Sequence, residues 1–163
     1  MYSIGEHVVH VTGGIGCIAD IAEIDIAGAN KGKKYYIINP NNNPGGKVYV
    51  PLDNDTTMRR VSTTEEIEKL LLDIPDIAEL VVDNEKLREA TYKEAVKSTD
   101  IRLWVSLLKC LCNRRTERLL EGKKVTSTDE RYFKTVTENL SSEIAFSCNI
   151  TKKEAMDRLL GKQ

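Results

Sequence analysis

Aromatic residues are scarce in this 163-residue chain, with one Trp, two Phe and six Tyr. That leaves no row of rings on which the bases of an unpaired RNA strand would stack. Histidine is scarcer still. His7 and His10 lie three apart in a strand-like run, so a regular strand sends them to opposite faces and they form no shared metal site or catalytic pair. The four cysteines, Cys17, Cys110, Cys112 and Cys148, contain no CxxC pair. Their spacing argues against a structural zinc site and for reduced thiols. No apolar run approaches the ~20 residues needed to cross a bilayer. Met1–Val11 lacks the basic start and long apolar core of a secretory signal. A cytoplasmic location without membrane attachment is therefore expected. GxSxG, HExxH and EF-hand patterns are missing too. Gly13-Gly14-Ile15-Gly16 lacks the Lys-Ser/Thr of a phosphate loop and suits a tight strand connection. We expect no enzyme, no metal and no cofactor.

What the chain does contain changes character near Val61. Residues 1–60 alternate short β-rich runs with Gly, Asn and Pro turns. The runs are Ile4–Val11, Gly16 to about Ile26, Lys34–Ile38 and Lys47–Pro51, with Asn39–Gly46 a long polar loop between the last two. Short strands at this spacing predict a small antiparallel barrel, whose closure removes exposed edges. So small a core leaves one strand edge open to a partner.

Residues 61–163 carry helix signals instead. Ser62-Thr63-Thr64-Glu65 resembles a capping box ahead of Ile67, Leu70, Leu71 and Leu72. Pro75 interrupts, leaving Asp73–Asn84 as an acidic connector. A helix is predicted over Glu85–Val96. A longer one, capped by Ser98-Thr99-Asp100, carries Ile101, Trp104, Val105, Leu107, Leu108, Leu111 and Leu119 until Gly122 ends it. Ser127-Thr128-Asp129-Glu130 opens another, with Tyr132, Phe133, Val136, Leu140, Ile144 and Phe146 as core candidates. Thr151-Lys152-Lys153-Glu154 caps a short last helix ending near Leu160. The fold class is thus α+β, a small β-barrel followed by a compact helical bundle.

The formal net charge of -1 hides a polarised distribution. Residues Glu65–Glu85 hold eight acidic side chains and one basic. Residues Lys86–Lys134 hold thirteen basic and seven acidic. Lys86, Arg88, Lys93 and Lys97 fall on the second helix. Lys109, Arg114, Arg115 and Arg118 follow on the third, Lys123 and Lys124 in the next turn, and Arg131 and Lys134 on the fourth helix. Lysines and arginines from a turn and adjacent helix ends can line a DNA backbone and gain affinity from counterion release. Helix-turn-helix readout is a rival, but the turns show no distinctive spacing.

Several stretches stand out together: Ile4-Gly5-Glu6-His7-Val8-Val9, Gly14-Ile15-Gly16, Lys34-Tyr35-Tyr36-Ile37, Val48-Tyr49-Val50-Pro51 and Met58-Arg59-Arg60-Val61. Farther along come Tyr92-Lys93-Glu94-Ala95, Lys97-Ser98-Thr99-Asp100 and the run Arg118–Phe133. In order and spacing they resemble the CarD/CdnL family of bacterial transcription regulators, whose N-terminal module is shared with transcription-repair coupling factor. The resemblance implies that residues 1–60 form a Tudor-like domain that docks on the RNA polymerase β subunit. Residues 61–163 would then contact promoter DNA, mainly its backbone and minor groove, and alter open-complex stability. It places Ile24 and Tyr49 where relatives carry polymerase-contacting arginines, and so implies an apolar interface around Ile24, Asp25, Ile26 and Tyr49. The DNA surface would be Lys86, Arg88, Lys93, Lys97, Arg114, Arg115, Lys123, Lys124 and Arg131.

Relatives also carry a tryptophan wedge at the start of the helical domain. Here the aligned residues are Val81-Val82-Asp83-Asn84, so Val81 or Val82 are the apolar candidates, and Trp104 is read as core. The missing wedge and the acidic connector favour an alternative, a polymerase-bound protein–protein module without productive DNA contact. A monomer is expected, with domain swapping through residues 53–64 as the other arrangement.

Overall fold

Alternation of apolar and polar residues along the first sixty positions produces five short strands: β1 (His7–His10), β2 (Ile15–Glu23), β3 (Lys34–Pro40), β4 (Val48–Pro51) and β5 (Met58–Arg60). The structure is a computed structural model and describes residues 1–161 apart from 13, 26, 29 and 30. All neighbouring strands are antiparallel, in the order β4-β3-β2-β1-β5. Among the described residues no pairing joins β4 to β5, so the sheet has two edges. One cluster nevertheless takes Val8 from β1, Ile18 from β2, Tyr36 and Ile38 from β3, Val50 from β4 and Met58 from β5. Side chains from both edge strands can share one core only if the sheet curls around it. Tyr2 closes over this core, its ring meeting Tyr36 edge-on at 5.8 Å and its backbone N–H donating to the Tyr36 hydroxyl at 3.1 Å.

The α+β class holds, but the expected closed barrel does not form: β4 and β5 are not paired among the described residues, and the sheet curls round its core with two open edges. Two details differ as well. The strand β5 was visible in the sequence only through family resemblance, because three residues are too few to show a period of two. The second run also ends at Glu23 rather than continuing to Ile26, leaving Ile24 and Asp25 beyond the paired strand.

The helices follow their caps: α1 (Thr64–Asp73), α2 (Arg88–Lys97), α3 (Ile101–Leu120), α4 (Ser127–Cys148) and α5 (Lys152–Leu159). Thr63, one residue later than the sequence pattern suggested, caps α1 through a capping box with Glu66, and Thr151 does the same for α5 with Glu154. Pro75 lies in a short 3-10 turn, Ile74–Asp76, and a second such turn, Glu85–Leu87, leads into α2. Trp104 is wholly buried and donates its indole N–H to the Val96 carbonyl at 3.2 Å, which places the start of α3 against the end of α2. Leu119 and Phe146, expected in the core from helical register, are 57% and 43% exposed instead: α3 runs past the partners that bury its middle, and Phe146 lies outside the face of α4 on which Glu143 and Ile144 are buried. No helix among the described residues is long and apolar enough to cross a membrane.

The chain divides into two units, Met1–Val61 and Ser62–Gln163. In the second, the backbone N–H and the hydroxyl of Ser62 both donate to the buried Glu143 carboxylate, at 3.0 and 2.8 Å. Ser147 Oγ donates to the Ser62 carbonyl at 2.7 Å, and Thr64 Oγ1 to the Ser147 carbonyl at 2.6 Å. These bonds pin the entrance of α1 to the end of α4.

The crossing of β2 and β3 depends on Gly16. A Cβ at that position would overlap Ile38 Cγ2 and sit 3.1 Å from the Asn39 carbonyl oxygen. Gly16→Ala should therefore lower the stability of the N-terminal unit by about 1–3 kcal/mol. Denaturant titration by far-UV circular dichroism measures this, with Trp104 fluorescence read in parallel to follow the helical unit alone, whose transition should not move.

Candidate functional site

The charged residues of the helical unit separate into an inward set and an outward set. The inward set is built around Asp129, in the first turn of α4 and 2% exposed. Arg114 Nε on α3 donates to its Oδ2 at 2.6 Å, and the buried Tyr92 hydroxyl on α2 donates to its Oδ1 at 3.1 Å. Arg88 reaches the Tyr92 hydroxyl at 2.8 Å while its other nitrogens grip both carboxylate oxygens of Glu85 at 2.7 and 2.6 Å. Arg114 Nη1 also meets Glu85 Oε1 at 3.2 Å. Glu85, Arg88, Tyr92, Asp129 and Arg114 thus form a closed ring with two positive and two negative members. Bidentate and charge-assisted bonds of this kind are the strong ones. Burial pushes the Tyr92 hydroxyl up to about 12, so it remains a neutral donor near pH 7.

Arg88 and Arg114, both on the proposed DNA surface, therefore point into the fold and spend their charge there. The sequence showed only the Glu85–Arg88 spacing of three. Tyr92 stands one helical turn beyond Arg88, but nothing in a linear pattern marks Asp129 as the partner of Arg114 from 15 residues away.

The ring also aligns the ends of three helices. Because Arg114 ties α3 to Glu85 and Asp129, the start of α2, the end of α3 and the start of α4 lie at one end of the bundle. Lys86, Arg115, Lys123, Lys124 and Arg131 gather at that end, all exposed. Arg115 lies over the Phe133 ring at 5.6 Å; Arg131 lies over Tyr132 at 5.2 Å and pairs with Glu89. Lys123 pairs with Glu121 at 3.1 Å, both half open to water, which costs its charge little availability. Lys86 and Lys124 have no ion pair among the described residues. Lys93 and Lys97 are exposed as well but lie farther along α2, Lys97 about 14 Å of helix rise beyond Arg88.

The positions implied for a polymerase contact do not form one row. Tyr49, 38% exposed, lies on the edge strand β4 opposite Ile37, which pairs in turn with Asp20. Ile24, half-buried, and Asp25, exposed, follow the last β2 pair, Glu23 with Lys34. Three or more residues along the strand, roughly 10 Å, separate the two places. Ile26 lies outside the described residues. The open main chain of this unit lies on the edge strands β4 and β5, not on Ile15–Cys17 of β2, which is paired on both sides.

Residues 2–62 match the sequence profile of the CarD-like/TRCF RID domain. The N-terminal unit is a CarD-like/TRCF RID domain. The match ends one residue beyond the boundary between the two units. No curated protein matches the chain. Possession of a RID domain supports a transcription-related protein that interacts with RNA polymerase. The curled sheet with Tyr49 on its edge belongs to that RID domain, and the charged ring with its basic end belongs to the helical unit that follows it.

The ring yields a pair of tests. Removing the Tyr92 hydroxyl leaves Arg88 and Asp129 each short of a partner, so Tyr92→Phe should cost about 1–2 kcal/mol in denaturant titration. Asp129→Ala removes the acceptor of both Arg114 Nε and the buried Tyr92 hydroxyl, leaving Arg114 only its Glu85 contact, and should cost more, about 3 kcal/mol. Acid titration probes Glu85. The Arg88 grip, with help from Arg114, holds its carboxyl at about 2 against an ordinary 4.5. A carboxyl held low stabilises the fold above its unfolded pKa, and the contribution disappears as pH falls from 4.5 toward 2. Glu85→Gln should flatten the stability profile across that window while leaving the rest of it parallel to wild type.

Proposed function

We propose that the chain is a transcription regulator that holds the RNA polymerase β subunit through its RID domain and promoter DNA through the basic end of its helical unit. Open-complex stability is the property it changes. The observation that carries the DNA half is the convergence of Lys86, Arg115, Lys123, Lys124 and Arg131 at one end of the bundle. Their charge faces water, whereas that of Arg88 and Arg114 is consumed in the ring. Phosphate contacts from such a cluster give affinity without sequence preference, and that suits a protein brought to promoters by polymerase.

No catalytic step belongs to this role. A protein that binds one state of promoter DNA better than the other shifts their balance by its differential affinity alone, and ~1.4 kcal/mol moves the ratio about tenfold. On the RID side, Tyr49 is the side chain best placed for a partner laid along β4, because it is large, exposed and on an edge.

A second role, polymerase binding without productive DNA contact, draws support from the two arginines turned inward and from the acidic 65–85 segment. Salt dependence separates the two. Lys123→Gln with Lys124→Gln should weaken binding to a promoter duplex and reduce the slope of log affinity against log salt by about 1.8. Arg114→Gln should act chiefly on stability. Wild-type binding and slope in the lysine variant, beside intact polymerase binding, would favour the second role. In calorimetry against the purified β subunit, Tyr49→Ala should weaken binding about tenfold.

A further inference from the structure

One extended segment of the helical unit has no strand beside it. Between the 3-10 turns Ile74–Asp76 and Glu85–Leu87, residues 78–82 run without a turn or a bend. Exposure alternates along this strap. Glu79, Val81 and Asp83 are exposed, Val81 by 71%, while Leu80 and Val82 are half-buried. A period of two is that of a strand. Bonds from α3 hold the inner side. The Leu80 N–H donates to the Ser106 carbonyl at 3.0 Å, Lys109 Nζ to the Ile77 carbonyl at 2.5 Å, and Asn113 Nδ2 to Glu79 Oε2 at 2.8 Å. Neighbouring residues of an extended chain turn their main-chain groups to opposite edges. With Leu80 directed at α3, those of Val81 face away from it. Among the described residues the main chain of Glu79 and Val81 makes no hydrogen bond.

We propose that this strap is a docking edge for an extended, positively charged segment of another protein. The segment pairs with it as an antiparallel strand, setting a basic side chain against each of Glu79 and Asp83 and an apolar one against Val81. The proposal needs neither the polymerase contact nor the DNA contact put forward above. Charge selects the occupant. Glu79 and Asp83 pair with no cation among the described residues, and the bond to Glu79 comes from the neutral Asn113 amide. A recess of about 330 Å³ beside the strap adds Glu85 and Glu117. Arg88 and Arg114 line it too, but they are already bonded to Glu85 and Asp129. Lys109 and Lys86 stand at the two ends, at Ile77 and beyond Asn84, and not along the edge. Such an edge repels phosphate and attracts cations. Main-chain pairing supplies affinity and alternate side chains supply selectivity. Because α3 already holds the strap extended, little freedom is lost when a strand is added.

The test uses the full chain, isotope-labelled, and the capped peptide Ser-Lys-Thr-Val-Thr-Lys-Ser, followed by amide shifts and by calorimetry. Wild type should bind saturably, with the Val81 amide shifted most and affinity falling as salt rises. Val81→Lys and Asp83→Lys, exposed changes that leave the bundle folded by circular dichroism, should each weaken binding about tenfold. Pairing is read separately from charge. With Val81 in a hydrogen-bonded pair, an N-methyl group on the peptide valine removes a ladder bond and should abolish binding. N-methyl groups on both threonines face away and should be tolerated. No binding by wild type would overturn the proposal, as would binding undiminished in Asp83→Lys. An equal response to the two methylated peptides would leave charge attraction without a strand and overturn it too. Self-association of the chain alone, lost in Asp83→Lys, would assign the edge to a second copy, again against the proposal. None of these outcomes bears on the polymerase or DNA contacts.

Discussion

A buried carboxylate with two partners holds the helical unit together at its basic end. Asp129 could not remain at 2% exposure without the Arg114 guanidinium and the Tyr92 hydroxyl, and each of those is tied in turn to Glu85, directly or through Arg88. An isolated charge at that depth would be far too costly. A ring with balanced charge and satisfied bonds is tolerated, and it fixes which helix ends meet. The outward lysines are neighbours because the inward arginines are. Positioning and neutralisation are two effects of one network, and the surface that remains is less positive than the sequence total suggests.

The RID domain solves a different problem. Sixty residues give little core, so all five strands curl around a single cluster in which Tyr36 and Tyr2 supply much of the bulk. Close approach of β2 to β3 at Gly16 is part of that economy of space. The same smallness leaves β4 and β5 as edges, and an edge strand with an exposed tyrosine is a surface that can accept another chain.

Most of the architecture was legible in the sequence because it is written in local signals. Thr63, Thr151, Asp100 and Gly122 mark helix ends through contacts within a few residues, and Trp104 falls where the register of α3 puts it. The failures have a common cause. Leu119 and Phe146 satisfy the helical period, but periodicity says nothing about where the packing partner stops or how wide a face it covers. Arg88 and Arg114 carry the charge of a phosphate ligand, and a sequence shows charge without showing what faces it. The five-residue ring joins α2, α3 and α4 across up to 37 residues of chain, beyond the reach of any local pattern. The RID domain was recognisable through its ordered motifs, whereas the separation of Tyr49 from Ile24 came only from strand register.

The clamp at the start of α1 has a mechanical meaning. Two residues, Val61 and Ser62, lie between the end of β5 and the cap of α1, and Ser62 is bonded to Glu143 and Ser147 near the far end of the chain. Tension arriving along the backbone from the RID domain therefore meets α4 before it can peel α1 away. The Ser62, Thr64 and Ser147 bonds would be loaded together, and their rupture is governed by the unfolding barrier. Pulled at Val61, the start of α1 and the end of α4 would therefore yield as one piece rather than in turn.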